Sequence, residues 1–98
     1  MITLKREETV KFSFAEALVA VRFKIPTGAE SDILLSETPG DCEVFKQFVL
    51  DVRSSDIAGW EKGVTAEDVI DSPQTLNLIR VVAKEIVGTI GVEVERKN

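Results

Sequence analysis

The 98-residue chain has no histidine and no tyrosine, and only one cysteine, one tryptophan and one methionine. Without histidine it lacks the side chain that most often serves as a general base near neutral pH, and without tyrosine it lacks a phenolic acid. A metal site would have to be built from carboxylates or from Cys42 alone. Cys42 has no second cysteine to pair with. It falls near a predicted helix start, where a thiol ionises more easily, but no imidazole exists to activate it, so it is expected to be a small buried hydrophobe. The six glycines are dispersed among turns rather than clustered between a strand and a helix, which excludes a phosphate-cradling loop. Catalysis, a cofactor and a resident metal are therefore not expected. No apolar run is long enough to cross a bilayer, and Met1 to Glu8 lack the basic and apolar segments of an export signal. The expectation is a cytoplasmic protein without a membrane partner.

What is present is ordinary globular material: 44% hydrophobic and 30% charged residues, with a net charge of −5. A single domain spanning 1–98 follows from the length, with a β-rich part over 1–28 and a helical part over 41–90. A chain of this size buries only about 60–65% of the surface it exposes when unfolded, so self-association is expected to add stability. Charge is uneven. Residues 1–28 carry five basic and three acidic groups, whereas residues 29–72 carry three basic and eleven acidic ones, a net of −8. Such a stretch repels phosphate backbones and attracts basic protein surfaces. Nucleic acid is therefore not an expected partner, and solvated acidic helix faces are the plainer account of the same charges.

Periodicity gives an α+β domain in which N-terminal antiparallel strands are packed by two or three C-terminal helices. Val10, Phe12 and Phe14 alternate with polar residues, and Val19, Val21, Phe23 and Ile25 repeat the alternation before Pro26-Thr27-Gly28 ends it. The competing reading of 13–20 is a capping box from Ser13 to Glu16 that opens a short helix. Ile33-Leu34-Leu35 is either an edge strand or a loop plugging the core. From Asp41, read as an N-cap after Pro39-Gly40, the spacing of Val44, Phe45, Phe48, Val49 and Val52 predicts an amphipathic helix that Ser54-Ser55-Asp56 ends. Thr65 to Asp68 opens a short helix reaching Val69-Ile70. Ser72-Pro73 reads as the start of the last helix, with Leu76, Ile79, Ala83, Ile86, Val87 and Ile90 on one face and Leu78 and Val82 widening it. Val92 to Asn98 reads as a frayed tail or a late strand. Trp60, between Gly59 and Gly63, is expected to anchor a loop on the core, to face a partner, or both.

Several of these segments together carry a family resemblance. The β-rich start ending in Arg22-Phe23-Lys24-Ile25-Pro26-Thr27-Gly28, the helix around Phe45-Lys46-Gln47-Phe48-Val49 and the Gly59-Trp60-Glu61 joint are followed by Val69-Ile70-Asp71-Ser72-Pro73, a last helix and a terminal Lys97-Asn98. In order and spacing they resemble the tail assembly chaperones of long-tailed, lambda-like bacteriophages. The resemblance implies a protein without catalysis that binds the tape-measure protein and tail tube subunits during tail assembly and is absent from the finished virion. It also implies a longer form made by ribosomal frameshifting. Trp60 with the outer part of the Leu78–Val82 face would make the contact, and Glu61, Glu67 and Asp68 would form its polar rim. A structural head-tail connector or tail-completion protein, retained in the virion, is the alternative. An enzyme would rest on Cys42 and carboxylates alone.

Overall fold

The computed structural model describes residues 1–91. The expected pair of strands is present: β1 (Glu7–Phe14) and β2 (Ala17–Lys24) form a hairpin in register from Glu7 opposite Lys24 to Phe14 opposite Ala17. The capping-box alternative at 13–20 is overturned by the turn itself. Ala15 and Glu16 both take positive φ, 49° and 66°, the left-handed pair that a two-residue type I′ hairpin requires. Alternation then sorts the faces, with Ala17, Val19, Val21 and Phe23 buried beneath the helices and Leu18 and Arg22 on the outer face.

The next element differs from both readings of Ile33-Leu34-Leu35. Residues Gly28–Glu37 form a helix, α1, capped by Thr27: its side chain accepts the Glu30 N–H at 3.2 Å while the Glu30 carboxylate accepts the Thr27 N–H at 3.0 Å. Only Leu34 of this helix is buried. Lys24 Nζ reaches the Glu30 carboxylate at 2.8 Å, tying the helix start back to β2.

Helix α2 (Asp41–Phe48) buries Val44, Phe45 and Phe48 as the spacing requires, with Gly40 rather than Asp41 at its N-cap. The helix stops four residues short of Val52. Val49–Arg53 is a third strand, β3, antiparallel to β2, so the sheet order is β1-β2-β3. A register shift between Arg22 and Phe23 sets Asp51 opposite Arg22 but Val49 opposite Phe23. The extra residue, Leu50, lets Val49 and Val52 both point inward although they lie three apart. A β-bulge has thus reproduced the spacing of a helical stripe.

Helix α3 (Ala66–Ile70) carries its own capping box, Thr65 with Asp68. Helix α4 (Leu76–Gly88) begins three residues beyond the expected Pro73; Ser72 to Gln74 form turns, with Gln74 at φ 65°. Buried Thr75 holds the junction, its hydroxyl donating to the Val69 carbonyl at 2.7 Å. α4 packs on α2, and these two helices cover the inner face of the sheet. The α+β arrangement expected from periodicity is therefore observed, with one strand threaded between helices. The alternatives for Val92 to Asn98 lie outside the described residues. Among the described residues no helix is long and apolar enough to cross a membrane.

Candidate functional site

Of the residues expected at the contact surface, Trp60, Glu61 and Asp68 have local duties. Trp60 is half-buried against the core, and its backbone organises the loop after β3: its carbonyl accepts the N–H of Ser54 at 3.1 Å and of Gly63 at 3.2 Å. Glu61 accepts the Gly59 N–H at 3.1 Å. Asp68 caps α3, and Glu67 lies exposed 3.7 Å from Lys46 Nζ. Exposed ion pairs of that length are worth little, about 0–1 kcal/mol.

Leu78 and Val82 require correction. They are 3% and 0% exposed, facing the sheet and α2, and so are not available to a partner of this protomer. Their places on the surface are taken by Leu76, Val81 and Val87, each between 40 and 50% exposed. Leu76 and Val87, expected on the inner stripe, are eleven residues apart and so fall within about 20° of one line along the helix, roughly 16 Å apart. Val81 lies on the opposite flank, beside β1 rather than α2. An apolar residue at a polar position of the pattern was the available signal for Val81.

At the Leu76 end lies an open groove of about 480 Å³, lined by Cys42, Ile70, Thr75, Leu76 and Ile79 among others. Cys42, in the first turn of α2, is exposed on this rim instead of buried. Asp41 approaches Arg80 at 3.9 Å across the α2–α4 seam. Leu76 and Val87 are thus the exposed apolar residues of this flank, with Arg80 between them and Asp41 beside it. The flank contains no base positioned to activate a nucleophile, and among the described residues no cluster of acidic or sulfur ligands is spaced to hold a metal.

Electrostatics elsewhere serve the scaffold. Arg22 sits between Asp51 at 2.8 Å and Glu7 at 3.3 Å on the outer face, and the hydrogen bond to Asp51 raises its pKa above the ordinary arginine value. The Lys24 ammonium, aided by the Thr27 N–H, holds the Glu30 carboxyl below its usual value. Comparison with family models, curated proteins and solved structures gives no match for this chain.

Proposed function

We propose that this protein is a non-catalytic tail assembly chaperone of a long-tailed phage, acting in the host cytoplasm on the tape-measure protein and tail tube subunits, and self-associating as it does so. The observation that carries the reading is the pair of exposed apolar residues Leu76 and Val87 on one flank of α4, with the Cys42–Ile70 groove at the Leu76 end. A long helical client presents apolar stripes that aggregate in water, and an apolar ridge on a small acidic domain covers such a stripe while keeping the complex charged. Trp60 supports this surface indirectly by fixing the loop that leads into α3. Glu67 and Asp68 add negative charge at the first turn of α3.

The test is co-expression with a tape-measure protein of a long-tailed phage. The wild-type chain should keep the client soluble, and a Leu76→Glu/Val87→Glu variant that still folds should not. Mass spectrometry of purified virions provides the opposing outcome: finding the chain in mature particles would exclude the chaperone role and favour a retained connector or completion protein.

A further inference from the structure

The two edges of the sheet are unequal. At β3 the outer edge is occupied at Val52, which exchanges backbone hydrogen bonds of 3.0 and 2.8 Å with Val64. At β1 no described segment pairs with the outer edge. The hairpin register, continued by the Ile25 N–H bonded to the Arg6 carbonyl at 2.9 Å, turns the backbone groups of the even residues of β1 toward β2. Glu7, Thr9, Lys11 and Ser13 therefore present their N–H and C=O groups outward. Beneath that edge, Val10, Phe12 and Phe14 are only half-buried, and a groove of about 340 Å³ runs between Phe12–Phe14 and the Asn77, Leu78 and Val81 side of α4. Leu4, in the arm preceding β1, is 85% exposed.

We propose that β1 is a homodimer interface in which two copies pair antiparallel about a two-fold axis at Thr9. A single register satisfies charge, face and groove together. With Thr9 opposite Thr9 of the second copy, Glu7 falls opposite Lys11 in both directions, and the inward-facing even residues stay inward. The pairing extends the charge row already present on the outer face: Asp51, Arg22 and Glu7 alternate in sign, and Lys11 of the second copy comes next. The same register sets Leu4 opposite the second copy's Phe14, at the mouth of the groove bounded by Val81. One residue of slip would turn the second copy's inner face outward, and a slip of two would set Glu7 opposite Ser13 or Lys11 opposite Lys5. The arm, the half-buried phenyl rings and exposed Val81 are thereby all covered by one second copy. This deepens the self-association proposed above but involves the Val81 flank of α4, not the Leu76–Val87 line.

Light scattering across a concentration series, followed by site-directed cross-linking, tests it. The wild-type chain should be a dimer. Lys11→Glu should raise the dissociation constant at least tenfold by opposing Glu7, and the double swap Glu7→Lys/Lys11→Glu should restore it. In a Cys42→Ser background, Thr9→Cys should form an intermolecular disulfide under mild oxidation, whereas Ser55→Cys should not. Circular dichroism on each variant establishes folding. A monomer at every concentration, as occupation of the edge by residues 92–98 or by another protein would give, overturns the proposal. So does a dimer that ignores Lys11→Glu or fails to cross-link at Thr9→Cys. A wild-type chain that solubilises the client yet is a monomer at every concentration would leave the chaperone reading standing alone. A dimer with the expected Lys11→Glu response that leaves the client insoluble would leave only the β1 interface, so the two proposals fail separately.

Discussion

Helices α1 and α2 follow one another between β2 and β3, yet they are held by different forces. α2 drives Val44, Phe45 and Phe48 into the core, and Lys24 lies 5.4 Å from the centre of the Phe48 ring. α1 buries Leu34 alone and relies on its ends, with the Thr27–Glu30 capping box at one and a left-handed Thr38 at the other. One helix is a structural wall of the domain. The other is a capped connector, and the contrast shows that a short segment can be helical with almost no apolar face if its end groups are satisfied.

This contrast can be broken at four points, beginning with the largest effect. Phe48→Ala should destabilise the protein by about 3–5 kcal/mol, because it removes a fully buried ring and the partner of Lys24; urea denaturation would measure it. Leu34→Ala should cost about 2 kcal/mol, near the low end for a buried leucine, since α1 has room to settle; a cost equal to that of Phe48→Ala would erase the distinction. Thr27→Ala should cost about 1 kcal/mol by removing the cap, and hydrogen exchange should show the loss confined to the first turn of α1.

The smallest effect is linked to pH. Because Lys24 first, and the Thr27 N–H second, hold the Glu30 carboxyl below its ordinary value, its contribution is complete above the unfolded carboxylate range, about pH 4.3. It is lost as the pH falls through the lower folded value. Glu30→Gln retains an acceptor for the cap but not the ion pair, so the stability gap between wild type and variant should be present at pH 7 and close in acid. A gap that widened in acid would contradict this assignment.

The same contrast explains what was readable in the sequence. The stripe of α2 was legible because Val44, Phe45 and Phe48 fall on one side of a helix. In α1, Ile33, Leu34 and Leu35 are consecutive and point in three directions, leaving Ile33 and Leu35 exposed, so periodicity had nothing to report. Thr27 and Glu30 were the available signal, a capping box immediately after Pro26. Val49 and Val52 misled for the reverse reason: the bulge at Leu50 brings residues three apart to one face, which in a regular strand they would not share. The hairpin at Ala15-Glu16 lacks the glycine or asparagine that usually marks such a turn. At the candidate surface, width was legible on α4 but direction was not. Leu78 and Val82 turned inward while Leu76 and Val87 turned outward, because the rotation of the helix is fixed by what it packs against.

By itself, the sequence determined that this is an α+β domain without histidine or tyrosine, since alternation, helical stripes and residue inventory are properties of the chain alone. Only the tertiary structure decided which flank of α4 meets water, that Val49–Arg53 joins the sheet, and that no described segment pairs with the outer edge of β1. Those outcomes depend on competition among distant segments for the same apolar surface and the same backbone partners, and local pattern does not record who wins.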